Sequence, residues 1–228
     1  MSVVLKNIKK EYSNAKDRTV ILDDVCFSVK DGDIVSILGH SGVGKSTLLG
    51  ILSGVLYPDN GEVFIDDELL ISSNGPMIRK QKIGVLFQKN NLLPEFNIID
   101  NLLLPLIIND IDYNKAKNRA KEILSLLDME QFKYRYPNQI SIGEYQRISL
   151  LRAIVNNPKV VIADEPTANL DENNCEQLLN LIVKLNRELG ITFIIATHDN
   201  RFIDVSAKSY TLFNGDLIIN EWELHKGC

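Results

Sequence analysis

Runs of apolar residues predict short strands separated by helices. Apolar and polar positions alternate over 20–29, and a continuous apolar run fills 34–38. Similar short runs occupy 62–65, 83–87, 160–163 and 192–196. Continuous apolar runs of this length, bounded by turn residues, are typical of strands that are buried on both faces of a sheet. Strands that alternate with helices predict a largely parallel α/β sheet.

Helical spacing of apolar residues marks three segments. The first, 46–52, follows a glycine-rich loop, the second spans 115–129 and the third spans 172–189. The third segment carries an apolar stripe and is expected to end at Gly190. The stripe consists of Leu178, Leu181, Ile182, Leu185 and Leu189. No strand pattern occurs between 90 and 157, so a mostly helical insertion is predicted there.

The composition is that of a globular protein and argues against several other classes. The 228 residues are 45% hydrophobic and 24% charged, which is unlike a disordered chain. Lys and Arg total 25 against 30 Asp and Glu, so the net charge of −5 lacks the basic field of a dedicated nucleic-acid binder. The three cysteines, Cys26, Cys175 and Cys228, form neither a zinc spacing nor a disulfide framework and favour a reducing compartment.

Apolar and basic runs give no sign of a membrane segment. The first residues lack the apolar core of a signal peptide. The longest dense apolar run, 102–108, contains Pro105 and is far shorter than the ~20 residues of a membrane helix. If the protein works at a membrane, we expect a partner to hold it there. The basic run at 79–82 is expected to be a solvated turn, with contact to lipid head groups or a partner as the alternative.

Residues 39–46, Gly-His-Ser-Gly-Val-Gly-Lys-Ser, fit the pattern of a phosphate-binding loop. The glycines let the backbone curl so that successive N–H groups point at phosphates, and the next helix aims its positive N-terminus at the same anion. Lys45 is expected to reach the β- and γ-phosphates, and the Ser46 hydroxyl is expected to ligate Mg²⁺. The predicted nucleotide contacts are Gly39, His40, Ser41, Gly42, Val43, Gly44, Lys45, Ser46 and Thr47.

Two acidic residues, Asp164 and Glu165, follow the apolar run 160–163. Ligands gather at the carboxyl ends of strands in an open α/β sheet, so Asp164 is expected to hold Mg²⁺ directly or through water. Glu165 is expected to act as a general base on the water that attacks the γ-phosphate. Such a pair alone is usually a strand entering a turn, but a phosphate loop in the same chain favours the functional interpretation.

The order of these motifs resembles that of the nucleotide-binding subunits of ATP-binding cassette (ABC) transporters, over nearly the whole chain. The resemblance implies that Tyr12 stacks on adenine, that Gln88 touches Mg²⁺ and water, and that His198 contacts the γ-phosphate. Residues 168–171, Ala-Asn-Leu-Asp, match a loop that crosses the dimer interface in that family. The implied catalytic residues are Glu165, His198, Gln88 and Lys45, and the implied Mg²⁺ ligands are Ser46, Gln88 and Asp164.

The resemblance also implies the architecture. The expected fold is an α/β P-loop NTPase with a RecA-like core, an antiparallel β subdomain and a helical insertion. The whole chain, 1–228, would be a single ABC ATPase domain, with its core at about 1–89 and 158–228 and its helical subdomain at about 90–157. The implied reaction converts ATP and water to ADP and phosphate in a homodimer that forms on ATP binding.

Residues 140–147, Ile-Ser-Ile-Gly-Glu-Tyr-Gln-Arg, occupy the position of the family's signature sequence. Ser141 and Glu144 have the spacing of a capping box at a helix start. The resemblance implies that Ser141, Gly143 and Glu144 face ATP held by the other subunit. Ile142 and Tyr145 depart from the usual Gly and Gln. Because a β-branched residue tolerates a positive φ poorly and adds bulk near a phosphate, we expect Ile142 to lower the hydrolysis rate.

The segments 89–97 and 102–108 resemble those of lipoprotein-releasing-system ATPases and of macrolide-exporter and antimicrobial-peptide-resistance relatives. The implied partner is an integral-membrane permease, and the implied location is cytoplasmic, on the inner face of the cell membrane. Leu92, Leu93 and Phe96 are expected to be exposed and to contact the permease, with burial inside the helical insertion as the alternative. No nucleic-acid partner is expected.

A second functional class stays open at this point. The chain is also compatible with a division-type or other non-transport ABC ATPase that regulates a membrane or soluble partner. Ribosomal relatives usually carry two cassettes and DNA-repair relatives a long coiled-coil insertion, whereas this chain has one cassette and a short insertion. These features favour a membrane complex, either for lipoprotein release or for a related efflux or mechanotransmission system.

Overall fold

The computed structural model describes residues 1–13, 18–88 and 92–220. The strands are β1 (Val3–Ser13), β2 (Arg18–Val29), β3 (Ile34–Leu38), β4 (Asn60–Ile65), β5 (Glu68–Leu69), β6 (Ile83–Leu86), β7 (Val160–Asp164), β8 (Thr192–Ala196), β9 (Lys208–Phe213) and β10 (Asp216–Ile219). The helices are α1 (Lys45–Leu52), α2 (Gly75–Lys82), α3 (Ile98–Ile108), α4 (Tyr113–Ser125), α5 (Ile142–Ile154), α6 (Glu172–Leu189) and α7 (Arg201–Val205).

The strands form two sheets. One is antiparallel with the order β2-β1-β4-β5, and the other has six strands in the order β10-β9-β3-β8-β7-β6. In the larger sheet, β6, β7, β8, β3 and β9 are parallel and only β10 runs antiparallel to its neighbour. This arrangement confirms the predicted α/β P-loop fold with its antiparallel β subdomain.

The central strands are buried on both faces, which explains their continuous apolar runs. In β8, Phe193 and Ile195 pack into a core shared with α3 to α6, whereas Ile194 and Ala196 pack into a second core shared with α1 and the antiparallel sheet. β7 alternates in the same way. Because side chains alternate between the two faces of a strand, both sets of positions must be apolar.

Three strands carry the site. β3, β7 and β8 lie side by side and parallel, so their carboxyl ends open on one edge of the sheet. The loop 39–44 follows β3, Glu165 follows Asp164 at the end of β7, and His198 lies two residues after β8. The topology therefore brings three separate sequence motifs to one place.

Several predicted boundaries differ from the structure. The strand predicted over 83–87 ends at Leu86, and the helix predicted over 115–129 ends at Ser125. Leu189, expected in the core stripe of α6, is 39% exposed because it lies in the last turn, just before Gly190 ends the helix in a left-handed conformation. Strands β1, β5, β9 and β10 were not predicted.

The basic run at 79–82 is not a solvated turn, so that expectation is wrong. It forms the last turn of α2. There Arg79 donates to the carbonyl of Gly54, and Lys80 pairs with Asp110 at 2.6 Å. Lys82 pairs with one carboxylate of β5 and one of the turn between β4 and β5. The expectation failed because Arg79, Lys80 and Lys82 are half-buried and take partners from segments distant in sequence, which no local charge pattern reveals.

The predicted helical insertion contains α3, α4 and α5, and no strand occurs in its described part, 92–157. Buried residues of these helices share one core with β7 and β8, so the domain bounds at about 90 and 157 stay a prediction. Within the ranges that the structure describes, no helix is long and apolar enough to span a bilayer.

Candidate active site

The loop between β3 and α1 wraps around the lysine that follows it. Gly42 and Gly44 have φ of 81° and 113°, a region that favours glycine. A Cβ on Gly44 would also lie 2.7 Å from the Ile21 side chain. The Lys45 ammonium donates to the carbonyl oxygens of Gly39 and His40 at 2.6 and 3.3 Å. The backbone N–H groups of such a loop can face an anion.

A cavity of about 560 Å³ opens above this loop. It is lined by Gly39, His40, Ser41, Gly42, Gly44, Lys45, Ser46, Thr47, Gln88, Asp164, Glu165 and His198. All four predicted catalytic residues and all three predicted Mg²⁺ ligands therefore meet in one space, although they come from four segments of the chain. Val43 is not among the lining residues and packs against the core beside the antiparallel sheet.

Glu165 lines the cavity, and contacts on both of its carboxylate oxygens hold it there. Its Oε1 lies 3.4 Å from Nζ of Lys45, and its Oε2 lies 2.8 Å from Nδ1 of His198. The backbone N–H of His198 donates to the same Oε2 at 3.3 Å. Glu165 itself has a φ of 45° and donates its N–H to the Ala196 carbonyl. A backbone turned out of the β region thus aims a nearly buried carboxylate into the cavity.

Two of the three side chains predicted to hold Mg²⁺ are hydrogen bonded to each other, and the third lines the same cavity. The Ser46 hydroxyl donates to Oδ2 of Asp164 at 3.3 Å, and Gln88 lines the same cavity. Burial raises the pKa of Asp164 and the charge of Glu165 adds to this, while the Ser46 hydrogen bond and Lys45 oppose it. A hydroxyl, a carboxylate and an amide oxygen fit Mg²⁺, which takes few protein ligands and fills the rest with water and phosphate.

The predicted signature residues lie outside this cavity. Ser141 is the N-cap of α5 and accepts from the Glu144 N–H at 3.3 Å, while its own N–H and hydroxyl both donate to Oε2 of Glu144 at 2.8 Å. Burial raises the pKa of Glu144, but these hydrogen bonds and nearby arginines outweigh it and hold the pKa below its usual value. The predicted capping box is therefore present, on a surface separate from the phosphate loop.

Ile142 does not carry the backbone strain that was expected. It is the first residue of α5, has no positive φ, and exposes 66% of its side chain. The expected strain from a positive φ is therefore wrong. The bulk of the exposed Ile142 side chain is the one reason left to expect a lower hydrolysis rate. Tyr145, the second departure, is half-buried, and its hydroxyl accepts from the Leu92 N–H at 2.6 Å.

Tyr12 lies in β1, opposite Thr19 of β2, and is 46% exposed. The Lys10 ammonium lies 5.8 Å from the centre of its ring. Tyr12 is not among the residues that line the cavity, and its stacking on adenine stays a prediction.

The predicted partner segment is only partly exposed. Leu92 is 4% exposed and packs in the core of α3 to α6, so its expected exposure is wrong. Leu93 is half-buried and Phe96 is 44% exposed. The buried side chain of Asn101 accepts from the Leu93 N–H and donates to the carbonyl oxygens of Leu93 and Phe96. These hydrogen bonds fold the loop onto α3. The preceding residues 89–91 lie outside the described part of the chain.

Sequence reasoning missed the residues that connect the start of α5 to the loop after Glu165. Gln146 donates to the Pro166 carbonyl at 2.9 Å, and the side chain of Asn174 packs against Gly143. The only sequence signal was the capping position of Asp171 before α6, because contacts between separate helices leave no local pattern.

Comparisons with known proteins agree with this geometry. A family model described as "ABC transporter" matches residues 22–168. The lipoprotein-releasing system ATP-binding protein LolD of Cytophaga hutchinsonii is 42% identical over 87% of this chain and 92% of its own length. The methionine import ATP-binding protein MetN of Francisella tularensis is 37% identical over 86% of this chain and 57% of its own length.

Solved structures with the same fold include a dimeric post-hydrolysis state of the ATP-binding cassette MJ0796 bound to ADP and Pi. It has a TM-score of 0.85 and 36% identity, and the alignment covers 94% of this chain and 96% of that one. CbiO1 from Clostridium perfringens, part of the ABC transporter complex cbiONQ, has a TM-score of 0.85 at 29% identity, covering 95% of this chain and 86% of that one.

Proposed function

Because this chain belongs to the ABC transporter family as an ATP-binding and ATP-hydrolysing subunit, we propose that it powers a membrane complex of the lipoprotein-releasing type. The observation that carries the catalytic part is the cavity in which Lys45, Glu165 and His198 meet. The relatives named LolD, at 36–42% identity over most of the chain, support the choice of complex.

The phosphate loop holds the triphosphate in this proposal. The ammonium of Lys45, now bound to two carbonyl oxygens of its own loop, contacts the β- and γ-phosphates, and the loop N–H groups and the start of α1 supply further positive potential. Ser46, Asp164 and Gln88 would hold Mg²⁺, which when bound neutralises charge on the phosphates. Tyr12 stacks on the adenine ring.

Glu165 is the general base of the reaction. It accepts a proton from a water molecule, whose oxygen attacks the γ-phosphorus in line while the bond to the β-phosphate oxygen breaks, which leaves ADP and phosphate. His198 fixes the Oε2 atom of this carboxylate and reaches toward the γ-phosphate from the end of β8. Lys45 stabilises the charge that develops on the transferred group.

Two copies of the chain complete two ATP sites. The start of α5, with Ser141, Gly143 and Glu144, lies away from the cavity of its own chain, and its N–H groups and helix dipole suit an anion. We place this helix start against ATP held by the second copy, in a two-fold homodimer. The dimeric ATP-binding cassette MJ0796 supports this arrangement.

A multi-spanning permease is the membrane partner, and it holds the ATPase on the inner face of the cell membrane. The helical subdomain, about 90–157, carries its docking site. Phe96, exposed beside the half-buried Leu93, is the apolar side chain that this site offers to a partner helix. Leu92 supports the loop from inside the core.

Purification of the tagged protein from detergent-solubilised membranes tests the proposal. The expected result is recovery of a large multi-spanning permease, identified by mass spectrometry, and ATP hydrolysis by the complex. Recovery of a lipoprotein-releasing permease supports the assigned cargo, and recovery of an amino-acid importer or a cell-division protein refutes it. Recovery of ribosomes alone, or of no membrane protein, contradicts the membrane complex.

A further inference from the structure

We propose that Asn174 is a positioning residue that fixes the start of α5, and that Gly143 lacks a side chain because the Asn174 amide fills its place. The inference rests on the proposed function because it assigns the signature helix to ATP held by the second copy. It concerns the connection within one chain between that helix and the loop at 168–171.

Asn174 is tied to the end of this loop by two hydrogen bonds. The N-cap of α6, Asp171, accepts from the Asn174 backbone N–H at 2.8 Å through Oδ1 and from its side-chain amide at 2.7 Å through Oδ2. With its Nδ2 atom used in this way, the Oδ1 atom of Asn174 is directed toward α5.

Oδ1 of Asn174 meets α5 at Gly143. Gly143 is buried, and a Cβ built there would overlap the Asn174 carboxamide. One turn further along α5, Nη1 of Arg147 lies 3.4 Å from the same Oδ1 and donates to Gln177 of α6 at 2.8 Å. The two helix starts are thus interlocked by close packing and a shared arginine.

A second contact extends this connection to the catalytic cavity. Gln146 of α5 donates to the Pro166 carbonyl at 2.9 Å, directly after Glu165. The start of α5 therefore cannot shift without moving either the loop that follows the general base or the cap of α6. In a homodimer this sets the position of Ser141 toward the second copy relative to the site of its own chain.

Glycine at 143 is explained either by its packing against Asn174 or by the close approach of a phosphate. A pair of substitutions that adds a methyl group at 143 and removes the carboxamide at 174 distinguishes the two explanations. The variants are Gly143→Ala, Asn174→Ala and the double variant. Each is made in the Glu165→Gln background, where ATP-dependent dimerisation is measured. Each is also made in the wild-type background, where kcat, KM and thermal unfolding are measured. The matched control is Gly143→Ala with Asn173→Ala, which removes the exposed neighbouring asparagine.

We expect Gly143→Ala to weaken ATP-dependent dimerisation by about tenfold, a size typical of coupling between contacting residues. Asn174→Ala should restore most of this loss, while Asn173→Ala should restore none. The unfolding temperature should follow the same pattern. Asn174→Ala alone should raise KM for ATP more than it changes kcat, because it loosens the helix start and leaves the cavity intact.

Three results would overturn the inference: a double variant as impaired as Gly143→Ala, equal rescue by Asn173→Ala, or no effect of Gly143→Ala. Failure of the proposed function is distinguishable, because then the Glu165→Gln parent itself does not dimerise with ATP. The unfolding temperatures of the four proteins still decide whether Asn174 and Gly143 compete for one space.

Discussion

The Nδ1 atom of His198 lies 2.8 Å from Oε2 of Glu165. The histidine is 75% exposed while the glutamate is only 11% exposed, so a solvent-facing ring fixes one oxygen of a nearly buried carboxylate. Lys45 holds the other oxygen at 3.4 Å. The carboxylate is thereby oriented before any nucleotide enters, which is the preorganisation that the proposed general-base role requires.

Replacement of Glu165 by Gln should keep ATP binding but lower kcat by about a hundredfold or more, because an amide cannot accept the proton of the attacking water. The protein should then accumulate as an ATP-bound dimer. Phosphate release and size-exclusion chromatography with ATP measure the two effects. The exposed Glu176→Gln is the control, and monomers with normal turnover would refute the assignment.

Lys45→Ala should lose ATP affinity by about tenfold or more, because the charge-assisted contacts to phosphate disappear. Titration calorimetry with a non-hydrolysable ATP analogue measures the Kd. Lys30, exposed at the end of β2, provides the control variant Lys30→Ala with unchanged affinity. A near-normal Kd for Lys45→Ala contradicts the phosphate role of this residue.

Glu144→Ala should lower the free energy of unfolding at neutral pH by about 1 kcal/mol, since it removes one half of a capping box. The folded-state pKa of Glu144 is depressed. Its contribution is therefore present above the unfolded pKa and is lost as the pH falls through the lower folded pKa.

Urea unfolding at neutral pH and well below the ordinary glutamate pKa of about 4.3 checks this pH dependence. The difference between wild type and Glu144→Ala should shrink in acid, and Glu176→Ala should show little difference at either pH. If Glu144→Ala lowers the free energy of unfolding equally at both pH values, the charge of the carboxylate does not stabilise the start of α5.

Ile142→Gly should raise turnover in the assembled complex, because the exposed side chain at the start of α5 adds bulk where the second copy's phosphate is expected. ATPase assays at saturating ATP measure the rate. Ile142→Val, which removes one methylene and keeps the branch, should give a smaller increase. An unchanged rate for the glycine variant removes the idea.

Phe96→Ser should reduce recovery of the permease from solubilised membranes and leave ATP hydrolysis by the isolated chain unchanged. The physical reason is the loss of an exposed apolar contact that the core does not use. Phe213, 50% exposed at the end of β9, gives the matched control Phe213→Ser. Equal permease recovery with both variants places the docking site elsewhere.

The sequence predicted the strands β3, β7 and β8 and the residues that follow them with little error. These strands are buried on both faces, so their apolar runs are continuous, and the motif residues come directly after them. It missed β1, β5, β9 and β10 because short, mixed or partly exposed strands lack such runs. The edge strand β10, for example, is largely exposed at Ile218 and Ile219.

The sequence by itself determined which chemical groups reach the cavity. The glycines, Lys45, Asp164 and Glu165 lie in short segments at strand ends, where a parallel sheet places them together, and the family resemblance pointed to His198. Only the tertiary structure decided that Leu92 is buried, that the cations of 79–82 are paired on a helix, and that Asn174 occupies the space beside Gly143. Those outcomes depend on side chains far apart in the chain, whose meeting is set by the packing of whole helices and not by any local pattern.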